Sequence, residues 1–181
     1  TPRLGPASAR KLLAALGSPQ GVFEAGATAW AELLPPRESK GLLTEPEDLA
    51  EHTERSWAWL NESTERGTPE AGRAILSLAD PRYPQSLLQA ADPPLLLFAQ
   101  GRLNLLQAPA MAIVGSRHPT EQGRDNARAF AQAFSEAGLT VVSGLADGVD
   151  GAAHEGALQA LDGGVTDEAG STIAVVGTGL D

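Results

Sequence analysis

The chain has 181 residues, room for one medium domain or two small ones, and its 42% hydrophobic content supports real cores and argues against disorder. A formal charge of −10 excludes a generally basic nucleic-acid binder, so any polyanion must be met by a small local patch. The absence of cysteine excludes disulfides, thiolate catalysis and thiolate-ligated metals, and fits a reducing cytoplasm. No apolar run approaches a membrane span and no signal-peptide pattern opens the chain. The first residue is Thr1 rather than Met, which suggests that the natural start lies upstream.

In chain order, Ala9, Leu12, Leu13 and Leu16 recur at helical spacing before Gly17, a C-terminal stop. Ser18-Pro19 supplies an N-cap and a first-turn proline for a short helix ending near Gly26. Trp30, Leu33 and Leu34 predict a third helix, halted by Pro35-Pro36. A longer helix is expected from Pro46 to Arg66, with Leu49, Thr53, Trp57 and Leu60 on one face and Trp57 in the core. Glu45, Glu47 and Asp48 suit the positive end of its dipole. A linker near residues 68–73 separates this helical domain, 1–67, from a second domain, 74–181.

The second domain opens with expected strands at Ala74–Leu78 and Leu95–Ala99, around the turn Asp80-Pro81-Arg82-Tyr83-Pro84. Three apolar runs then each end in a Gly-bearing polar turn. The first run leads into Val114-Gly115-Ser116-Arg117-His118-Pro119-Thr120, and the second into Ser143-Gly144-Leu145-Ala146-Asp147-Gly148. The third, Thr172 to Val176, leads into Gly177-Thr178-Gly179. Between the first two lies a helix with Ala127, Phe130, Ala131, Phe134 and Ala137 as its apolar stripe. Strand, helix, strand, helix, strand is the order of a parallel sheet, whose ligands bind at the carboxyl ends of the strands. The segment Asp162–Ser171 reads as a solvated loop.

Outward backbone N–H groups in such a turn favour an anion, and Arg117 adds a guanidinium whose geometry matches phosphate. Arg124 and Arg128, one turn apart on the following helix, would extend the basic strip. Spacing alone equally allows a second reading, in which Gly115 only permits a tight turn and Arg117 pairs with Asp147 or Asp150. His154 reads as a histidine lining the pocket beside Asp150, with no nucleophile spaced to accompany it. His52 and His118 do not make a metal cluster, and Asp147-x-x-Asp150 lacks the ligand density of a calcium loop. No Walker A sequence or dinucleotide fingerprint is present, and no cofactor is implied.

The succession Ile75 to Pro84, Pro93 to Gly101, Val114-Gly115-Ser116-Arg117, Ser143-Gly144-Leu145-Ala146-Asp147-Gly148-Val149-Asp150, Ala153-His154 and Ala174 to Asp181 resembles the DprA/Smf family of bacterial transformation. The resemblance implies an α/β chain: a small helical, SAM-like domain, then an extended Rossmann-like, doubly wound domain with a mainly parallel sheet, truncated on its C-terminal side. It also implies a single-stranded DNA binder without catalytic chemistry, which protects incoming strands, promotes RecA loading and forms a homodimer. Carried over, Gly115, Ser116 and Arg117 form the phosphate-binding turn; Ser143, Gly144 and Leu145 form a neighbouring wall; Gly177 and Gly179 form a third side. Asp147 departs from the basic or bulky residue frequent there in relatives, and Ser171 from a basic one. The rival reading is a nucleotide-processing enzyme of the related Rossmann-like phosphoribohydrolase superfamily. A third is that the helical part is mainly a protein-interaction module.

Overall fold

A computed structural model describes residues 4–62, 71–162 and 171–178. It divides into two compact units, Thr1–Gly101 and Arg102–Asp181. Residues 163–170 of the expected loop Asp162–Ser171, the expected helix end at Arg66, Gly67, the linker at 68–70, and Gly179, Leu180 and Asp181 lie outside the described residues.

In the first unit, local chemistry places the helix ends. Helix α1 spans Pro6–Leu16 and stops at Gly17, whose φ of 84° only glycine adopts freely. The Ser18 hydroxyl caps α2 (Pro19–Leu33) by accepting from Gly21 N at 3.0 Å. Gly26, at φ 72°, breaks α2 where the sequence suggested an end, and Leu34 turns extended before Pro35. Leu12, Val22, Trp30, Leu34 and Leu42 form the core, and Trp30 Nε1 donates to Val22 O at 2.6 Å. A short α3 (Pro36–Ser39) and a 3-10 turn (Lys40–Leu43) follow.

Helix α4 spans Leu49–Asn61, three residues later at its start than expected, because residues 47 and 48 form a turn in which Leu49 N donates to Pro46 O. Trp57 is not in the core: it is 67% exposed. Its neighbour Trp59 makes the contacts instead, edge-on to Phe98 with ring centroids 5.3 Å apart and beneath the Arg73 guanidinium at 5.1 Å. Strands β1 (Ala71–Ser77) and β2 (Leu96–Arg102) make a two-stranded sheet. They are joined through the turn at Asp80 and the short α5 (Gln85–Leu88). The Asp80 carboxylate accepts from the Arg82 backbone N–H and guanidinium, which lower its pKa to about 2.

The second unit is the parallel sheet. Strands β3 (Ala110–Ala112), β4 (Thr140–Ser143) and β5 (Thr172–Ala174) lie in that order, with Met111 opposite Val141 and Val141 opposite Thr172. Helix α6 (Glu121–Glu136) joins the first pair and α7 (Val149–Asp162) the second. Successive steps in one direction with one crossover hand bring both helices to one face, and they pack on β4 and on each other. The core there is made of small residues: Ala131, Val141, Ala153 and Ala157, with Ile113 and Phe134 against them. Phe130 is 60% exposed and stacks on Phe134 rather than entering the core. The buried stripe of α6 is instead Ala127, Ala131 and Ser135.

The reason is a close approach of the two helices. A methyl at Gly156 of α7 would lie 2.8 Å from the Arg128 carbonyl carbon of α6 and closer still to its oxygen. At that separation only small side chains fit between the helices.

Candidate functional site

All three Gly-bearing turns leave the carboxyl ends of adjacent strands within the second unit. Ile113 N donates to Val142 O at 3.0 Å, and Val175 N to Ser143 O at 2.8 Å, so the ladder runs up to the turns on both sides of β4. The Ser143 hydroxyl donates to Ile113 O at 2.7 Å, tying the first and second strand ends together.

In the first turn the Ser116 hydroxyl accepts from His118 N at 3.0 Å, a local closure that compacts the loop. Thr120 caps α6 by accepting from Gly123 N at 3.1 Å. Among the described residues, the backbone N–H groups of Gly115, Ser116 and Arg117 donate to no protein acceptor. Those of Gly144 and Leu145 in the second turn are likewise unmatched among the described residues. Leu145 holds φ at 59°, the only non-glycine residue there with positive φ among those described. Such strain persists only where the surroundings over-determine it. Gly177 is exposed, and among the described residues nothing lies within 4 Å of where a side chain would stand.

Of the three arginines singled out by sequence, two are free. Arg117 and Arg124 are exposed and make no ion pair among the described residues, so the pairing of Arg117 with Asp147 or Asp150 does not occur. Arg128 is held by Glu155 at 2.7 Å and Asp125 at 3.1 Å, which keep it more firmly protonated. Its charge is therefore largely met within the unit. Asp147 is exposed, whereas Asp150, in the first turn of α7, is buried.

His154 is buried on the same helix. The Thr172 hydroxyl donates to Val141 O at 2.9 Å and so accepts from His154 Nδ1 at 2.6 Å; this bonding pattern assigns the Nδ1–H tautomer. Nε2 is buried without a partner among the described residues. Burial lowers the His154 pKa, with the Asp150 charge opposing. The neutral ring thus ties α7 to β4 and β5 beneath the turns.

A depressed histidine pKa means that the folded state resists protonation. Stability should be fully present above the unfolded value near 6.5 and decline as the pH falls below it toward the folded value. Thermal unfolding followed between pH 7.5 and 5 should show this decline, and His154→Gln should flatten it. An equal slope in the two proteins would assign the decline to other groups.

Sequence reasoning missed how the first turn sits on α7. Val149, which opens that helix, donates its N–H to Ser116 O at 3.1 Å. A methyl at Gly115 would lie 2.9 Å from both γ carbons of Val149. Gly148, at φ 88°, would place a methyl 2.7 Å from Arg117 O and closer still to Ser116 O. The signal was the glycine at 148, but its partner lies some thirty positions away.

A parallel sheet with crossover helices on one face, and amide-bearing turns at the carboxyl ends of its strands, defines a Rossmann-like α/β unit. Residues 74–181 match the family model of DNA recombination-mediator protein A, and the chain belongs to that family, DprA/Smf. It is 46% identical over 105 residues to the DNA processing protein DprA of Streptococcus pneumoniae, a match covering 58% of this chain and 34% of that protein. It is 42% identical over 111 residues to protein Smf of Synechocystis, covering 59% and 26% respectively. The X-ray structure of the S. pneumoniae DprA superimposes with a TM-score of 0.71 at 30% identity, over 99% of this chain and 55% of that one. These matches therefore span about a third or less of the two curated relatives' length.

The mixed fold expected from the sequence, helices first and a parallel sheet after, is the one observed. Among the described residues no helix is long and apolar enough to cross a membrane.

Proposed function

We propose that the chain binds single-stranded DNA through its phosphates, independently of sequence, as the DNA-contacting part of a recombination mediator. The observation that carries this reading is the first turn. Three successive amides lie beside the guanidinium of Arg117, and neither they, nor Arg117, nor Arg124 at the start of α6 finds a partner among the described residues. Amide donors and a planar guanidinium are the groups that bind phosphate oxygens. Gly144 and Leu145 supply further donors from the neighbouring turn; Gly177 opens the third turn, and the family resemblance assigns Gly179 to the same side of the site. In this reading Ser143 braces the strand ends, and Asp150 and His154 line the pocket floor.

The preference for a single strand has its own support at the same sheet edge. Val114 and Leu145, from the first two turns, and Val175, just before the third, are 74%, 59% and 59% exposed. Unpaired bases present apolar faces to such a rim, whereas a duplex keeps its bases stacked inside. Family resemblance extends the proposal to protection of incoming strands in the cytoplasm, RecA loading and a homodimer. It likewise supports a division into a helical domain at 1–67, a linker at 68–73 and the DNA-binding domain at 74–181.

With phosphate contacts dominant and aromatics only 4% of the chain, affinity should fall steeply with salt. Fluorescence anisotropy of a labelled oligothymidine at two salt concentrations, with duplex competitor, tests this. Salt-sensitive binding that duplex fails to displace supports the reading. Salt-insensitive binding refutes the phosphate mechanism, and absence of binding by the folded chain moves the site to a nucleotide ligand.

A further inference from the structure

We infer that Gly148 and the Val149 N–H are the positioning elements that aim the Arg117 amide and side chain outward, so that the anion site stands one peptide removed from the α7 N-terminus. This rests on the proposed phosphate role of the first turn and deepens it. A helix N-terminus ordinarily offers its first N–H groups to an anion directly. Here the first of them is already taken, because Val149 N donates to Ser116 O at 3.1 Å. The Ser116–Arg117 peptide is trans, since no cis bond occurs among the described residues. In a trans peptide the C=O and the following N–H point in opposite directions. A Ser116 carbonyl directed at α7 therefore directs the Arg117 N–H away from α7.

The same bond places the Ser116–Arg117 peptide in line with the α7 dipole. Polarisation of the carbonyl by the positive helix end makes the N–H at its other side a stronger donor, as in any hydrogen-bonded chain. The helix thus acts on an anion through one intervening peptide.

Two glycines make this seating possible. A side chain at Gly148 would push against both Ser116 O and Arg117 O, and one at Gly115 would push against the Val149 side chain. Gly148 also holds φ at 88°, where other residues are strained. Gly148 need not touch the ligand, and Gly115 meets it only through its N–H; the missing side chains of both are what let the turn seat on α7.

Two variants test the clamp. Gly148→Ala introduces the methyl, and Val149→Pro deletes the donor at the first helical position, where proline is tolerated. Two readouts are taken on each: oligothymidine affinity, and amide hydrogen exchange at Val149 and Arg117. In the wild type Val149 should be protected and Arg117 should exchange freely. Both variants should lose affinity by about tenfold or more, the scale of one hydrogen bond to a charged group. Gly148→Ala should add less than about twofold to the loss already caused by Arg117→Ala, because the two act through one turn.

Wild-type-like affinity in both variants, or losses that multiply in the double variant, would overturn the inference. So would a wild-type Val149 amide that exchanges as fast as Arg117. If the wild type fails to bind oligothymidine while Val149 is protected and its protection is lost in Gly148→Ala, the DNA reading falls and the clamp stands.

Discussion

Replacing Arg117 by alanine should weaken oligothymidine binding by about 1.5–3 kcal/mol, the range for a hydrogen bond to a charged group. It should also reduce the slope of log affinity against log salt by about one, since one phosphate contact is lost. The melting temperature should stay unchanged. The side chain is exposed and unpaired among the described residues, so its removal leaves no buried charge and breaks no packing. That separation of binding from stability makes the variant informative. Arg128→Ala should behave differently, because Glu155 and Asp125 already meet its charge and its loss would free two carboxylates near the strip. Asp147→Ala, removing an exposed negative charge from the second turn, should leave affinity unchanged or raise it. If Arg117→Ala binds like the wild type at both salt concentrations, the first turn is not the phosphate site. If Asp147→Ala clearly weakens binding, that aspartate has a positive role in the turn.

What the sequence revealed was what local chemistry decides. Ser18 and Thr120 cap their helices with the hydroxyl contacts that their positions predict, and Gly17 and Gly26 take the positive φ that marks a break. The three turns and their strand order follow from apolar runs and glycines, which need no knowledge of distant partners. What it concealed depends on contacts far apart in the chain. Trp57 and Trp59 are two residues apart, and helical periodicity favoured the first. Phe98 and Arg73, on the two strands of the small sheet, select the second. Phe130 and Ala131 are adjacent on α6, and hydrophobicity alone favours the larger. Backbone contact at Gly156 leaves room only for the smaller. Arg128 meets Glu155 across twenty-seven positions, and Ser116 O meets Val149 N across thirty-three, so neither pairing has a local signature.

Two glycines of α7 should respond to alanine in opposite directions. At Gly151 a methyl would meet, among the described residues, only Ala146 O, at an ordinary 3.5 Å. Alanine there should be neutral or stabilise by up to about 1 kcal/mol, the difference in helix propensity. At Gly156 the same propensity gain is available, but the methyl would enter the Arg128 backbone, with the carbonyl carbon at 2.8 Å and Cα at 2.9 Å. A backbone cannot rotate away as a side-chain tip does, so α6 and α7 must separate. Overpacking of this kind costs about 1–3 kcal/mol and here loosens contacts among Ala127, Ala131, Ala153 and Ala157 as well. Gly156→Ala should therefore lower the urea midpoint and the melting temperature, while Gly151→Ala should leave both unchanged or raised. The displacement should also reach the site, because α7 carries Val149 beneath the first turn and His154 against Thr172. DNA affinity in Gly156→Ala should fall under conditions where the protein remains folded. Equal stability of the two variants would mean that the helices have slack at this crossing. The turn geometry would then have to be held by the strand ends alone.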